Sequence, residues 1–310
     1  MSTPSKTAFV LSGGASLGAI QVGMIRALYE RAVTPDLIVG TSVGALNGAF
    51  IASRAAVPET AEELAEVWRD LGRGQVFPLN PLTGFLGFFG ARDHLISDQG
   101  LRELVEDNIE FTQIEQAPIS FHVIATDLLS GRELRLSRGD SFEAVMASAA
   151  IPGVFAPVEW EGRKLIDGGV SNNAPIADAI ELGAERIYVL PTGSACDLPH
   201  PPRGAVAMLL HAMSLLVMRR LLLEVEALRE RAELIVLPPP CPQAITPIDF
   251  SHTDELIRRG YEGSRDYLDA VAAGRALVPL SMVMHDHRPP APVQADLAAP
   301  RAADREMDLH

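Results

Sequence analysis

The chain has 310 residues, is 47% hydrophobic but only 5% aromatic, and carries a formal net charge of −14. Such a composition supplies a large aliphatic core, and its negative balance argues against nucleic acid as a partner and against nonspecific adhesion to anionic lipid. Two cysteines, Cys196 and Cys241, give neither a disulfide framework nor a metal-ligand spacing, which fits a reducing, cytoplasmic setting.

Met1 to Lys6 lead into the first strand without a charged head and apolar signal core, so no secretory signal is expected. Thr7 to Leu11 reads as that strand and runs directly into Ser12-Gly13-Gly14-Ala15-Ser16-Leu17-Gly18. A helix from Ala19 to Glu30 follows, with Ile20, Met24, Ile25 and Leu28 as its apolar stripe. Asp36 to Val39 is a second short buried strand, ending in Gly40-Thr41-Ser42-Val43-Gly44 and a small-residue helix through Phe50. A serine between two glycines on a strand-to-helix turn is the local pattern of a nucleophile elbow, because the sharp turn leaves no room for neighbouring side chains. The serine also sits at a helix N-terminus, where unpaired N–H groups favour a developing negative charge.

A glycine-rich turn between strand and helix presents backbone N–H groups to an anion. No Gly-Lys-Ser/Thr follows, which excludes a P-loop. A dinucleotide fingerprint wants a third spaced glycine and an acidic residue ending the next strand, whereas Asp36 precedes that strand. The other reading is an oxyanion hole serving Ser42.

Further along, Pro58 to Leu71 reads as a surface helix with Glu62, Glu63 and Glu66 outward. Gly72 to Ser97 is a long excursion of the length used by lids and binding loops. Within it, Pro81 to Gly90 carries three phenylalanines among glycines and reads as a lid, an interfacial loop or a loop packed under the sheet. Ile119 to Ala125 is a strand. Pro157 to Trp160, a Glu161-Gly162 turn and Arg163 to Ile166 form a hairpin ending in Asp167-Gly168-Gly169. Asp167 either caps a turn, as Asp-Gly often does, or reaches into a shared crevice. Arg186 to Leu190 and Glu233 to Leu237 are strands, and Thr253 to about Ala273 is a closing helix. The helix from Gly204 to Arg231 is apolar but broken by Arg219-Arg220, too short in its uncharged run to span a bilayer. It reads first as internal or groove-lining and second as a membrane contact. From His285 the chain loses its apolar period and is expected to be disordered.

Five segments in one order resemble the patatin-like phospholipase family: the glycine loop Ser12 to Gly18, the elbow Gly40 to Gly44, Ala125-Thr126-Asp127-Leu128 with Gly131, Ala147 to Pro157, and Asp167-Gly168-Gly169. The resemblance implies an α/β fold of three layers, a mostly parallel central sheet with helices on both faces, over residues 5–280, with 285–310 as a tail. It implies a lipid or acyl-ester hydrolase with Ser42 as nucleophile and Asp167 as its base, working through an acyl-enzyme. Gly13, Gly14 and Ala15 would supply the oxyanion amides. No cofactor or metal is called for, and peripheral contact with membranes would be made through apolar surface.

In the family the glycine loop has a third glycine and a basic residue, where this chain has Ala15 and Leu17. That departure keeps a second reading open, a non-catalytic lipid- or acyl-binding relative. A third is a Ser-His-Asp α/β-hydrolase, with His211 or His252 following the acid in chain order.

Overall fold

The computed structural model describes residues 5–72, 76, 96–193, 205–241 and 245–275. The Pro81 to Gly90 segment, Cys196 and the tail from His285 lie outside the described residues.

Five parallel strands form the body of an eight-stranded sheet: β1 (Thr7–Leu11), β2 (Leu37–Thr41), β3 (Ser120–Asp127), β7 (Arg186–Leu190) and β8 (Glu233–Val236). Antiparallel β5 (Val158–Trp160) and β6 (Arg163–Asp167) extend one side, giving the order β5-β6-β3-β2-β1-β7-β8, and β4 (Glu133–Leu136) also pairs with β3.

Strand alternation divides the interior into two cores. Phe9, Leu11 and Ile38 point into one with the helices α1 (Ala19–Tyr29), α2 (Val43–Ala52), α3 (Pro58–Asp70) and α8 (Thr253–Ala272). Ala8, Val10, Leu37 and Val39 point into the other with α6 (Ile176–Glu181) and α7 (Ala205–Leu228). Strands covered on both faces must be apolar at every position, which is why β1 and β2 read as unbroken hydrophobic runs. The result is the expected three-layer α/β architecture. The remaining helices, α4 (Gln99–Asn108) and α5 (Ser141–Ser148), add to the first layer.

Asp36 proves to be a strand clasp. Its carboxylate accepts from the Thr7 amide at 2.7 Å, and its own amide donates to the Thr7 carbonyl at 2.8 Å.

The long apolar helix α7 divides its faces. Met218, Leu221, Val225 and Leu228, spaced three or four apart, are buried against the sheet, while Met208, Leu209, Leu215, Leu216 and Leu223 are exposed. The internal reading therefore describes one face only. No helix among the described residues is long and apolar enough to cross a membrane.

Candidate active site

Ser42 occupies the turn between β2 and α2 at φ 54° and ψ −125°. A serine pays for positive φ in strain, and the surrounding packing must hold it there. Ser148, at the end of α5, supplies part of that hold: its hydroxyl accepts from the Ser42 amide at 2.8 Å and donates to the Ile124 carbonyl at 2.6 Å. Thr41 adds a bond from its hydroxyl to the Asn172 carbonyl at 3.0 Å.

Sheet register places Asp167 level with Ser42. Thr41 pairs with Ile124, and the next β3 residue, Ala125, pairs with Asp167. One small side chain therefore separates the two in the sheet, and the Ser42 Oγ donates to Asp167 Oδ2 at 2.6 Å. The other carboxylate oxygen, Oδ1, accepts from the Gly169 amide at 2.7 Å and caps a short 3-10 turn. One carboxylate oxygen thus caps the turn while the other bonds the Ser42 hydroxyl.

Ser42 is 6% and Asp167 7% exposed. Burial raises the Asp167 pKa from 3.8 to about 6, against the opposing pull of the bonds from Ser42 and Gly169. A carboxylate so placed is a better proton acceptor than one in water, yet it remains ionised at neutral pH.

The glycine loop lies beside this pair. A Cβ on Gly13 would sit 3.0 Å from the Ser42 Cβ, so the two backbones are in close approach. The three amides are not equivalent. Gly13 N–H donates to the Asn173 carbonyl at 3.3 Å, whereas those of Gly14 and Ala15 meet no acceptor among the described residues. Ala15 stands at φ 49°, a left-handed conformation that costs a residue with a Cβ roughly 1–2 kcal/mol. Leu17 is buried in the core beside α1 and α2, where a basic side chain would be stranded without water.

Beneath the loop runs a buried polar chain that the sequence does not advertise. Gln21 Nε2 donates to the carbonyls of Ser12 at 2.8 Å and Leu190 at 2.9 Å, and its Oε1 accepts from Asn47 Nδ2 at 2.9 Å. Asn47 in turn accepts from the Trp68 indole at 2.9 Å and donates to the Gly18 carbonyl at 3.1 Å. The detectable signal was Gln21 interrupting the apolar helix Ala19–Tyr29: a buried amide needs partners on every polar atom, and here the partners are the loop itself.

Histidine takes no part in this arrangement among the described residues. His122 is held between Ser120 and Ser137, its pKa lowered to about 4 chiefly by burial. His252 is at the α8 start, within ion-pair distance of Asp249 and Glu255, and His211 lies in the α7 run. None of the three bonds to Ser42 or Asp167, which removes the support for a Ser-His-Asp triad. No group of three or more His, Cys, Asp or Glu among the described residues could hold a metal ion.

Ser42 opens onto a cavity lined mainly by Ala15, Val43, Phe50, Trp68, Leu104, Ile151 and Phe155. Apart from Ser42, the polar side chains in its described lining are those of Asn47 and Asn108, and no charged residue is among them. An apolar wall next to a buried hydroxyl–carboxylate pair suits a hydrocarbon chain attached to a reactive carbonyl.

A model of the patatin-like phospholipases matches residues 9–180, over half of the chain. The chain belongs to the patatin-like phospholipase family. Among its relatives is an uncharacterized NTE family protein of Mycobacterium tuberculosis, 33% identical over 185 residues, 59% of this chain and 48% of that one. The patatin-like phospholipase domain-containing protein 7 of Mus musculus is 30% identical over 199 residues, 63% of this chain and 14% of its own length. Lysophospholipase NTE1 of Mycosarcoma maydis is 28% identical over 195 residues, 61% of this chain and 10% of the other. The chain thus spans about half the length of the mycobacterial relative and far less of the others. In solved structures it is similar to VipD from Legionella pneumophila, with TM-score 0.44, 15% identity and coverage of 87% of this chain and 67% of that one. Human GIVD cytosolic phospholipase A2 gives TM-score 0.46 and 11% identity, covering 87% and 58%.

Against that patatin-like background, the two departures in the glycine loop have different weights. Leu17 serves the core and brings no cation to the site. Ala15 keeps its amide and carries the strain that a glycine would avoid.

Proposed function

We propose that the protein hydrolyses carboxylic esters of lipids through a Ser42–Asp167 dyad. The observation that carries this reading is the 2.6 Å bond from the Ser42 hydroxyl to a buried carboxylate, beside an apolar cavity. Ser42 Oγ attacks the ester carbonyl as Asp167 takes its proton, and the carbonyl oxygen becomes an oxyanion held by the Gly14 and Ala15 amides. Collapse breaks the bond to the alcohol, which leaves with the proton from Asp167. Water then attacks the acyl-enzyme, Asp167 removes its proton, and the released fatty acid returns Ser42 to its starting state with that proton. On both a short soluble ester and a lysophospholipid, Ser42→Ala is expected to lose turnover by more than about 1,000-fold. Steady-state kinetics on the two substrates checks this, and wild-type rates in the variant would remove Ser42 from the mechanism.

A lipid surface is the proposed partner. Leu128 and Leu129 follow the carboxyl end of β3, and Val170 is three residues beyond Asp167. Leu128, Leu129 and Val170 are thus exposed apolar side chains at the sheet end that holds Ser42, and α7 adds an exposed apolar face of its own; Leu129 is 91% and Leu216 71% exposed. With a net charge of −14, attraction to anionic headgroups would not drive the contact, so uncharged phosphatidylcholine vesicles are the fitting probe. The double variant Leu129→Asp, Leu216→Asp is expected to lose at least about 10-fold in vesicle affinity, since burying each leucine is worth about 1.5–3 kcal/mol. Its rate on a soluble short ester should stay at the wild-type value. Unchanged sedimentation with vesicles, or a change from dimer to monomer in the double variant, would contradict this contact.

A further inference from the structure

We propose that Thr192 is a positioning residue that aims the Gly14 amide at the oxyanion, an inference that rests on the hydrolase reading above. Thr192 lies just past the end of β7, outside the residues 9–180 that match the family, and its side chain is buried. Its hydroxyl donates to the Gly13 carbonyl at 2.5 Å. Its own amide donates to the Ser12 hydroxyl at 3.1 Å, which fixes the side chain's root to the start of the same loop.

A trans peptide is planar, so its C=O and N–H point in opposite directions. Anchoring the Gly13 carbonyl therefore sets where the Gly14 N–H points. The same geometry operates one peptide earlier, where Gln21 holds the Ser12 carbonyl and the Gly13 N–H is directed to Asn173.

The Gly13–Gly14 peptide is the one most in need of an anchor. It is flanked by two residues without a Cβ, so its rotation meets little steric resistance. The alternative tethers to the Gly13 carbonyl, from Asn173 Nδ2 and from the Ser12 hydroxyl, are both long at 3.4 Å. Thr192 also fills the space behind the loop: a Cβ on Gly14 would lie 2.1 Å from the Thr192 Oγ1 and 2.6 Å from its Cβ. Contact and hydrogen bond together hold one orientation, with the carbonyl toward Thr192 and the amide away from it. Loss of the hydroxyl leaves the Gly13 carbonyl buried and poorly bonded, and turning the peptide over would satisfy it at the expense of the oxyanion donor.

Thr192→Val keeps the shape and removes the donor; Thr192→Ser restores the donor without the methyl. On a soluble short ester, the valine variant is expected to lose about 100-fold in kcat with KM within about twofold, the scale of one lost oxyanion donor. The serine variant should recover kcat to within about fivefold of wild type. Affinity for a trifluoromethyl ketone, which forms an oxyanion adduct with the serine, should fall about 100-fold in the valine variant only. Thr192→Ala carries the same expectation if valine disturbs the fold, as monitored by thermal unfolding. Wild-type kcat in the valine or alanine variant, a loss confined to KM, or a loss that serine does not rescue would each overturn the assignment of Thr192. Ser42→Ala measured alongside separates the cases: an inactive Ser42→Ala with an unaffected Thr192→Val rejects Thr192 alone, and an active Ser42→Ala rejects the hydrolase reading on which it rests.

Discussion

Replacing Asp167 by asparagine is expected to lower kcat by about 10³–10⁴-fold while leaving the protein folded and more stable above pH 6. The substitution is nearly isosteric and keeps both local bonds. An amide oxygen in place of Oδ1 still accepts from Gly169, and an amide nitrogen in place of Oδ2 can donate to Ser42 Oγ. What disappears is the capacity to take the serine proton. Stability moves the other way because the Asp167 pKa is raised from 3.8 to about 6 by burial. Below pH 4 the acid is protonated folded or unfolded, and its contribution to stability is fully present. Between pH 4 and 6 the folded protein holds a proton that the unfolded chain has released, so stability falls as pH rises through that window. Two pKa units correspond to about 3 kcal/mol, all of it lost once the buried carboxylate is ionised. Asparagine has no such titration. Urea unfolding should therefore find the variant more stable than wild type at pH 8, by up to about 3 kcal/mol, with the gap closing near pH 4. In the wild type, kcat/KM should fall on the acid side with an apparent pKa near the same value of about 6, because only the ionised carboxylate can act as base. Equal stability at both pH values would show that Asp167 is not ionised in a buried state.

Gly44→Ala is expected to lower stability and turnover together. A Cβ there would stand 2.2 Å from the Leu11 carbonyl oxygen, 2.5 Å from the Leu11 carbonyl carbon and 2.7 Å from the Ser12 carbonyl oxygen. All three are backbone atoms, so no side chain can rotate away. The first turn of α2 must move off the end of β1, which shifts Ser42 relative to the loop that begins at Ser12. Overpacking of this kind costs about 3 kcal/mol, and a displacement near 1 Å between reacting groups costs about 100-fold in rate. Thermal unfolding and kcat should fall together. A melting midpoint and kcat equal to wild type would mean that helix and strand are not in the contact described.

The parts of the fold legible in the sequence are those whose signal is local. β1, α1, β2 and the elbow have strong periodicity and glycine punctuation, and the Glu161-Gly162 turn of the hairpin appears with φ 48° and 76° at the two positions. β4 was not legible: Glu133-Leu134-Arg135-Leu136 is four residues long and carries two charges, and only pairing with β3 makes it a strand. The six-residue helix α6 is likewise too short for a periodic pattern and is held by packing. In the site, Ser42 and Asp167 follow from their glycine neighbours and from the family resemblance. The supporting residues do not. Ser148, Gln21 and Asn47 sit in small or apolar runs, and each donates to a backbone carbonyl, 24, 9 and 29 residues away. Backbone carbonyls leave no mark in a sequence, so a hydrogen bond to one is visible only after folding. For the same reason the sequence treats the amides of Gly13, Gly14 and Ala15 alike, while the fold turns the first toward Asn173.

The most direct test is to treat the protein with a long-chain fluorophosphonate and locate the adduct by peptide mass spectrometry. Attack by an activated serine displaces fluoride and leaves a stable phosphonate ester. We expect one adduct, on Ser42, with a labelling rate that rises through about pH 6 and falls at least 100-fold in Asp167→Asn. An unlabelled Ser42, or equal labelling with and without the Asp167 carboxylate, would contradict a serine activated by that carboxylate.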